Sequence, residues 1–264
     1  MKKYSFIGVG NMASAIINGM SDDTPTFLYD KDKTKCERFS SDRFTCVSSA
    51  SEAVRSADYI VLSVKPQNFD DVLGEIHSSG VDLSSKVFIS IAAGITIKFI
   101  TDRIGSAAVI RTMPNTPLML GKGVTALTRN ELVSDEAFDE ITGLFASIGA
   151  VVRMPESDLN PIISATSSSP AYVYLFIKAL VDGAKEQGLE YDNMTELVCK
   201  AVIGSAEMLL QTGKTPEELI KMVTSPNGTT EKAMNVLYAS DFEGIIKRAM
   251  VECTKRAIEL SSGK

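Results

Sequence analysis

The sequence predicts a two-domain α/β protein, with a doubly wound sheet over residues 1–158 and an all-helical domain over residues 159–264. Short apolar runs alternate with helical patterns through the first part of the chain, which is typical of a parallel sheet covered by helices. From Asn160 onward only helical patterns follow, and no internal repeat is visible. Together these observations predict a sheet domain followed by a helical domain.

The composition is that of an ordinary globular protein, with 44% hydrophobic and 23% charged residues. A net charge of −6 without a basic stripe argues against nucleic acid as a partner. No apolar run reaches the roughly 18–20 residues of a membrane span, and the start of the chain does not resemble a signal peptide. The cysteines form no close pairs, which argues against a disulfide framework or a zinc site. We therefore expect a cytoplasmic protein without a metal. The cysteines are Cys36, Cys46, Cys199 and Cys253.

A glycine-rich fingerprint, Gly8-Val9-Gly10-Asn11-Met12-Ala13, follows the first apolar run and opens a helical pattern. This is the context that the G-x-G-x-x-G/A motif of Rossmann-type domains requires. Gly8 permits the tight turn, Gly10 lets a pyrophosphate approach the backbone, and Ala13 keeps the helix close to the strand. The motif therefore predicts a dinucleotide site at the end of the first strand.

The choice of dinucleotide depends on the end of the second predicted strand, Thr26–Tyr29, where Asp30 follows. An acidic residue about 20 residues after the fingerprint usually binds the adenosine ribose 2′-OH and favours NAD. Lys31 and Lys33 could instead receive a 2′-phosphate. The sequence therefore leaves NADPH and NADH open as the cofactor.

Further predicted strands end in segments whose composition suits ligand contact at the carboxyl edge of a sheet. Asp58–Val64 leads into Lys65-Pro66, and Lys86–Ile91 leads into Ala92-Ala93-Gly94. Ala107–Arg111 precedes the stiff loop Met113–Pro117. The remaining predicted elements of this domain are strands at 123–128 and 150–154 and helices at 69–77, 96–104 and 135–147.

The second half predicts helices at 170–187, 193–212, 216–223, 231–239 and 241–260, with Thr215 and Glu218 as a capping box at the start of the third. The second of these is apolar nearly all round, so we expect it to be buried, within the chain or by another subunit. Between the third and fourth helices lies the stretch Thr224-Ser225-Pro226-Asn227-Gly228-Thr229-Thr230. Thr229 or Thr230 is a natural N-cap, and a helix start suits a carboxylate ligand. The alternative is a capped turn without a ligand.

Six segments follow one another along the chain: Gly8-x-Gly10-Asn11-Met12-Ala13, Val64-Lys65-Pro66, Ala92-Ala93-Gly94, Met113-Pro114-Asn115-Thr116-Pro117, Ser168-Ser169-Pro170-Ala171-Tyr172 and Ser225-Pro226-x-Gly228-Thr229-Thr230. In this order they resemble the pyrroline-5-carboxylate reductase family, and the resemblance spans nearly the whole sequence. It implies a Rossmann domain and a helical dimerisation domain, in a homodimer or a higher homo-oligomer. It also implies reduction of 1-pyrroline-5-carboxylate to L-proline with NADPH or NADH, the last step of proline biosynthesis.

The resemblance also implies which residues bind ligands. Asn115 would lie near the nicotinamide. The dinucleotide would contact Ile7, Gly8, Val9, Gly10, Asn11, Met12, Ser63, Val64, Lys65, Pro66, Ile91, Ala92 and Ala93. The substrate would contact Val223, Ser225, Gly228, Thr229 and Thr230. Ser167 and Asn227 stand where the family usually has glycine, which bears on substrate affinity; Asn tolerates positive φ, so the loop is expected to keep its shape.

The chemistry is compatible with these residues. An imine nitrogen is basic enough to be protonated or hydrogen-bonded before hydride attack, so no catalytic histidine is needed. We hypothesise that the Thr230 hydroxyl donates to this nitrogen, while backbone N–H groups of residues 228–230 hold the carboxylate. The nearest rival, a β-hydroxyacid dehydrogenase, needs a lysine base, for which Lys178 and Lys65 are the candidates. We interpret Lys178 as a solvated helix residue, and we expect Lys65 to contact the cofactor or support the loop and not to act as a base. A regulatory protein that binds dinucleotide without catalysis is the second alternative.

Overall fold

The computed structural model describes residues 2–262, so the outermost predicted domain limits, residues 1 and 264, lie outside the described residues. The chain packs as two compact units. The sheet unit comprises residues 2–168 and 253–262, and the helical unit comprises residues 169–252. The boundary between residues 158 and 159, as a division of function, stays a prediction.

The sheet unit contains an eight-stranded sheet with the order β3-β2-β1-β4-β5-β6-β7-β8 among the described residues. The strands from β1 to β6 are parallel, whereas β7 runs antiparallel to β6 and parallel to β8. The strands are β1 (Tyr4–Ile7), β2 (Thr26–Tyr29), β3 (Phe44–Cys46), β4 (Tyr59–Leu62), β5 (Val87–Ser90), β6 (Ala108–Met113), β7 (Gly123–Arg129) and β8 (Gly149–Arg153).

The chain reverses its direction of travel across the sheet between β1 and β4. It runs outward from β1 to β3 and then returns to the opposite side of β1. Ligands of open α/β sheets bind in the crevice outside the carboxyl ends of the strands at such a switch point. The glycine-rich turn after β1 and the segment after β4 both lie at this crevice.

Helices cover both faces of the sheet, so the central strands are buried on both sides. Because side chains alternate along a strand, neighbouring residues of β1 pack in different hydrophobic clusters. Phe6 belongs to one cluster and Ile7 to the other, and both are fully buried. The helices of this unit are α1 (Asn11–Asn18), α2 (Lys33–Glu37), α3 (Ala50–Ser56), α4 (Phe69–Ser78), α5 (Ile97–Ile104), α6 (Asp135–Ala146) and α7 (Leu159–Ile162), the last continued by a wide π-helical turn, Ile163–Ser167.

The helical unit confirms the predicted helices of the second half. Gly188 has φ +85° and ends the first of them, and Thr215 and Glu218 form the predicted capping box at the start of the third. The helices are α8 (Ser169–Glu186), α9 (Met194–Thr212), α10 (Pro216–Val223), α11 (Thr229–Ala239) and α12 (Phe242–Ser262), which runs back into the sheet unit at residue 253.

The structure corrects one expectation for the helical unit and bears on a second. The N-cap of α11 is Gly228, and neither Thr229 nor Thr230 caps it, because both lie inside the first turn. The predicted apolar helix is α9, and within this chain it contains no buried residue. The other residues of this chain therefore do not bury α9. Within residues 2–262, no helix has both the length and the apolar character needed to cross a bilayer.

Candidate active site

Gly8 brings the end of β1 against the end of β4. Its φ is +95°, and a Cβ atom at this position would lie 2.8 Å from the backbone carbonyl of Ser63. Ser63 secures the same contact, because its hydroxyl donates to the Gly8 carbonyl oxygen at 2.5 Å. A side chain at residue 8 is therefore excluded by both space and backbone conformation. The predicted role of Gly8 in a tight turn is confirmed.

The start of α1 is open to a ligand. Gly10 is its N-cap, no side chain caps the helix, and a Cβ atom built on Gly10 would meet nothing within 4 Å. The first-turn N–H groups of Asn11, Met12 and Ala13 are therefore available to an anion. Ala13 is buried between helix and sheet, as the fingerprint predicts. These features fit the pyrophosphate of a dinucleotide.

Ile7 and Val9 lie in the same turn with their side chains fully buried. The Val9 N–H donates to Asp30 Oδ2 at 2.8 Å, and the Val9 carbonyl oxygen accepts from Arg38 Nη2 at 3.3 Å. Both backbone groups of Val9 are thus engaged by the segment after β2.

Asp30 holds the glycine-rich turn in place through several hydrogen bonds. Its Oδ1 accepts from the Asp32 N–H at 2.9 Å and from Lys35 Nζ at 3.2 Å, in addition to the Val9 bond on Oδ2. Its side chain is only 12% exposed. Burial would raise the pKa of the Asp30 carboxyl, but the hydrogen bonds and Lys35 outweigh this effect and hold the pKa below its usual value.

A cavity of about 310 Å³ lies at the carboxyl edge between β1, β2 and β4. The structure thereby brings together several of the predicted cofactor residues, from three separate parts of the chain. Among the predicted lysines Lys31 lines this cavity, and Lys35, which the sequence did not single out, lines it as well. The lining residues are Gly8, Gly10, Tyr29, Asp30, Lys31, Asp32, Lys35, Ser63, Val64, Lys65, Asn68 and Val72.

The next predicted cofactor segments follow β4 and β5. Pro66 opens a short turn directly after the exposed Lys65. Ile91 and Ala93 flank the buried Ala92 at the end of β5. These positions lie at the same carboxyl edge as the cavity, because β4 is parallel to its neighbour β1 and β5 is parallel to its neighbour β4. The ligand roles of all these residues stay predictions.

Asn115 holds the loop after β6 in place. Its side-chain amide donates to the Thr166 carbonyl oxygen at 2.9 Å, and its Oδ1 accepts from the Val124 N–H at 2.8 Å. The residue is 6% exposed. The side chain thus connects the loop to β7 and to the π-helical turn, a kind of element that is frequent at functional sites. Contact of Asn115 with a nicotinamide stays a prediction.

The predicted substrate stretch forms the turn between α10 and α11 in the helical unit. Asn227 has φ +59°, as expected of a residue that tolerates positive φ, and its N–H donates to Glu231 Oε2 at 3.0 Å. A Cβ atom on Gly228, the N-cap of α11, would lie 2.4 Å from Ser225 Oγ, so the turn leaves little room for a side chain at this position.

The start of α11 presents donors without partners among the described residues. No side chain caps this helix, and the N–H groups of Thr229 and Thr230 have no hydrogen-bond partner within residues 2–262. The Gly228 N–H, which was also expected to hold the carboxylate, donates instead to the Ser225 carbonyl oxygen at 3.0 Å. Ser225 and Val223 border the same turn, and Val223 is 61% exposed. The five predicted substrate residues therefore lie close together along the chain, at the end of α10, in the turn and in the first turn of α11.

The structure does not support Lys178 as the catalytic base of a β-hydroxyacid dehydrogenase. Lys178 is exposed and forms an ion pair with Asp182 one turn later on α8. The hydrogen bond to Asp182 raises the pKa of Lys178, which favours the charged form and opposes a role as a base. The interpretation of Lys178 as a solvated helix residue is confirmed.

A buried hydrogen-bond network around β6 of the sheet unit was not predicted from the sequence. Arg111 on β6 is 1% exposed, and it donates to Glu156 Oε1 at 3.0 Å and to Asn160 Oδ1 at 2.9 Å. Burial lowers the pKa of Arg111, and Glu156 partly offsets this effect. Glu156 also accepts from the Ile97 N–H at 2.9 Å, so the network connects β6 with the start of α5. The one sequence signal for this network is Arg111 itself, a charged residue within an otherwise apolar strand pattern.

Comparisons with known proteins agree with this geometry. Residues 156–260 match the model described as pyrroline-5-carboxylate reductase dimerisation, and residues 3–94 match the model described as NADP oxidoreductase coenzyme F420-dependent. The chain is 36% identical to the pyrroline-5-carboxylate reductase of Escherichia coli (strain K12), over 98% of each chain. It is also 36% identical to the enzyme of that name from Glycine max, over 97% of this chain and 95% of the relative.

Solved structures show the same likeness. The pyrroline carboxylate reductase of Plasmodium falciparum, determined with NADP bound, has a TM-score of 0.88 and 28% identity, with 98% of each chain covered. The Rossmann-type sheet, the helical region and the likeness over the full length of these relatives lead to one conclusion. The chain belongs to the pyrroline-5-carboxylate reductase family.

Proposed function

We propose that this protein reduces the cyclic imine 1-pyrroline-5-carboxylate to L-proline with NADPH or NADH, the last step of proline biosynthesis. Membership of the family and the NADP oxidoreductase match support an oxidoreductase that acts on a C=N bond. The observation that carries the proposal is the start of α11, where unpaired N–H groups and hydroxyls form a surface suited to a small carboxylate.

The substrate carboxylate binds the first turn of α11. The N–H groups of residues 229 and 230 carry the partial positive charge of a helix start, which stabilises an anion. Gly228 leaves the backbone accessible at this point, since no side chain covers it. Ser225 adds a hydroxyl at the edge of the turn, and Val223 offers an apolar contact for the carbons of the ring.

The Thr230 hydroxyl donates to the imine nitrogen. When bound, the reduced nicotinamide would supply a hydride to the imine carbon, and the nitrogen would gain one proton from solvent through the Thr230 hydroxyl, which gives the secondary amine of proline. Donation from Thr230 draws electron density toward the nitrogen and makes the carbon a better hydride acceptor. Positioning of the reactants accounts for most of the barrier reduction, since a near-attack geometry can contribute about 7–11 kcal/mol.

The dinucleotide binds at the carboxyl edge of the sheet. Its pyrophosphate would contact the N–H groups of Asn11 and Met12 at the start of α1, and its adenosine half would fill the cavity beside Asp30. Ile91, Ala92 and Ala93 would border the nicotinamide half, with Asn115 holding the neighbouring loop. The small side chains of the alanines leave room for a ribose against the backbone.

We further propose a homodimer or a higher homo-oligomer in the cytoplasm. The match of residues 156–260 to a dimerisation model supports the assembly, as does the exposed apolar surface of α8 and α9. The cysteines among the described residues are free thiols, as expected in a reducing compartment. The net charge of −6 supports a small-molecule substrate rather than nucleic acid.

The role of Thr230 is tested with Thr230→Ala and Thr230→Ser. Loss of the hydroxyl is expected to lower kcat/KM for pyrroline-5-carboxylate at least about 10-fold, whereas the serine variant keeps the donor and stays within about threefold of wild type. Steady-state kinetics at saturating NADPH measure both values. If the alanine variant remained within about twofold of wild type, the hydroxyl would have no part in the reaction.

A further inference from the structure

The segment between β5 and α5 is held at both ends by hydrogen bonds. The Ile91 N–H donates to the Leu62 carbonyl oxygen of β4 at 3.2 Å. The Ile97 N–H, the first of α5, donates to Glu156 Oε1 at 2.9 Å. Residues 92–96 therefore run between two fixed points, at the carboxyl edge where the nicotinamide half of the dinucleotide is proposed to bind.

The start of α5 is closed, whereas the start of α1 is open. The Thr96 hydroxyl oxygen accepts from the Phe99 N–H at 3.0 Å, and Glu156 accepts from the Ile97 N–H. Side chains thus satisfy two of the donors that a helix start leaves without intrahelical partners. The helix dipole also favours a carboxylate at this end. The start of α5 therefore anchors the segment before it, and Glu156 is part of that anchor.

The middle of the segment packs against the last turn of α12. Gly94 is buried and has φ +76°. A Cβ atom built on Gly94 would lie 2.8 Å from Leu260 Cβ and 3.3 Å from the Leu260 carbonyl carbon. Both the backbone conformation and the closeness of α12 therefore require glycine here. The neighbouring Ala93 is exposed, so the fixed segment presents this residue outward.

A hydrogen-bond network joins these two supports. Arg111 donates to both Glu156 Oε1 and Asn160 Oδ1. Asn160 Oδ1 also accepts from the Ser261 hydroxyl at 3.2 Å. Ser261 directly follows Leu260, which packs against the segment. A continuous series of bonds thus runs from the last turn of α12 to the start of α5.

Burial makes this network sensitive to the loss of a member. Arg111 is 1% exposed, and its Nε has no hydrogen-bond partner within residues 2–262. Its bonds to Glu156 and Asn160 therefore carry the whole burden of satisfying a buried charge, and bonds of this kind are stronger than neutral ones. Because Arg111 and Ile97 donate to the same oxygen of Glu156, a displacement of Glu156 reaches the start of α5 directly.

We infer that this network positions the segment 91–97 to receive the nicotinamide half of the dinucleotide, with Arg111, Glu156 and the last turn of α12 as its members. The inference rests on the proposed dinucleotide site, in which residues 91–93 border that half. The network residues are positioning residues, because they act through the backbone of the segment and not by touching the ligand.

The test compares whole dinucleotides with their adenosine halves. Calorimetry gives dissociation constants for NADP⁺ and adenosine 2′,5′-bisphosphate, and for NAD⁺ and 5′-AMP. Glu156→Ala removes the acceptor of the Ile97 N–H, and we expect it to weaken the whole dinucleotides at least about fivefold, with the halves changed less than about twofold. Glu156→Gln keeps an acceptor, and we expect all four ligands to stay within about twofold of wild type. Both variants remove the counter-charge of Arg111, so a loss of stability alone would affect them alike.

A milder variant tests the contribution of α12. Ser261→Ala removes the hydroxyl that donates to Asn160, and we expect the whole dinucleotides to bind about 2–4-fold more weakly. Ser56→Ala is the matched control, because each serine lies in the last turn of a helix and donates to the carbonyl oxygen four residues earlier. This control is expected to leave all four dissociation constants within about 1.5-fold of wild type.

A pair of glycine variants tests the packing against α12. Gly94→Ala is expected to weaken the whole dinucleotides at least about 10-fold, because the added methyl group displaces the segment from Leu260. Gly105→Ala is the matched control, since Gly105 has φ +85° but open space at its Cβ position. Both variants strain the backbone, and only the first is expected to change binding by more than about twofold.

Hydrogen exchange of the protein without ligand measures the network itself. Peptides that cover residues 91–97 are expected to exchange at least about threefold faster in Glu156→Ala than in Glu156→Gln. Faster exchange with unchanged binding of the whole dinucleotides would overturn the inference, and so would equal weakening of whole and half cofactors. A protein whose dinucleotide binding followed these expectations but which formed no L-proline would overturn the proposed reaction alone.

Discussion

The two units of this chain differ in how completely they pack by themselves. The sheet unit buries large side chains on both faces of its central strands, including Phe6, Leu62 and Phe88. In the helical unit, α8 to α11 contain no buried residue. Leu210 is 85% exposed and Ile203 is 56% exposed, although both lie on a long, ordered helix.

This difference indicates where each unit obtains its stability. Long helices with exposed apolar side chains are stable in water when another surface covers them. The match of residues 156–260 to a dimerisation model agrees with this physical reading. The sheet unit thus carries a complete core and a ligand crevice, whereas the helical unit is expected to complete its core in the assembled protein.

The largest effect is expected from a charge on the exposed apolar surface of α9. Leu210→Glu would place a carboxylate in a dehydrated interface and raise the dissociation constant of the dimer at least about 100-fold, or about 2.7 kcal/mol. Sedimentation analysis over a dilution series measures it. Gln211→Glu, the next residue on the same helix, is the control for added charge. An unchanged dimer with Leu210→Glu would mean that α9 does not form the interface.

The next largest effect is expected at the ion pair between Arg111 and Glu156 in the sheet unit, which has a complete core of its own. Glu156→Gln keeps an acceptor for Arg111 but leaves the buried guanidinium without a counter-charge. We expect a loss of about 2 kcal/mol in unfolding free energy, after allowing for the 34% exposure of the Glu156 side chain. Urea unfolding checks this value, with the exposed Glu131→Gln as control. A loss below about 0.5 kcal/mol would show that the pair is unimportant for the core.

A smaller, pH-dependent effect is expected at the opposite edge of the sheet. Tyr4 and Tyr59 donate to the two carboxylate oxygens of Glu140, at 3.1 Å and 2.7 Å. Burial, together with Glu140, raises the pKa of both tyrosines above the ordinary value of 10.0. Their stabilising contribution is therefore complete below pH 10 and is lost as the pH rises from there toward the raised pKa values.

The matching experiment is alkaline unfolding. Tyr59→Phe is expected to cost about 1 kcal/mol at pH 8 and to weaken the loss of stability above about pH 10. Tyr238→Phe is the control, because Tyr238 is 54% exposed in the helical unit. Identical pH profiles for wild type and Tyr59→Phe would contradict the role of this tyrosine.

The smallest effect is expected at Asn227, in the substrate turn. Asn already adopts φ +59°, and Gly accepts the same conformation without strain. Asn227→Gly should therefore change the unfolding free energy by less than about 0.5 kcal/mol and the KM for the imine by less than about twofold. A larger change in KM would mean that the Asn227 side chain itself contacts the substrate.

Sequence reasoning succeeded where the signal is local. The second strand, Thr26–Tyr29, has the predicted limits, and Thr96 caps α5 by accepting from the Phe99 N–H. Both follow from hydrophobic pattern and capping chemistry within a few residues. The short strand Phe44–Cys46 and the helix Lys33–Glu37 were missed, because they are too short to establish a period.

The site was harder to predict, because its side chains take partners that are distant in sequence. The fingerprint located the crevice, but nothing near Asp30 in the sequence indicates that Val9 occupies its carboxylate. Asn115 likewise bonds to Thr166, and Arg111 to Asn160. Such tertiary contacts override local preference. The N-cap of α11 was assigned to a threonine on local propensity alone, but the turn in which the Gly228 N–H donates to the Ser225 carbonyl oxygen leads into a helix that already begins at Thr229.

The most direct test of the account is parallel steady-state oxidation of NADPH and NADH with pyrroline-5-carboxylate, with L-proline quantified by mass spectrometry. The account predicts turnover with at least one of the two cofactors, with one L-proline formed for each dinucleotide oxidised. A folded sample that bound dinucleotide but formed no L-proline with either cofactor would contradict the reductase and favour a dinucleotide-binding regulator.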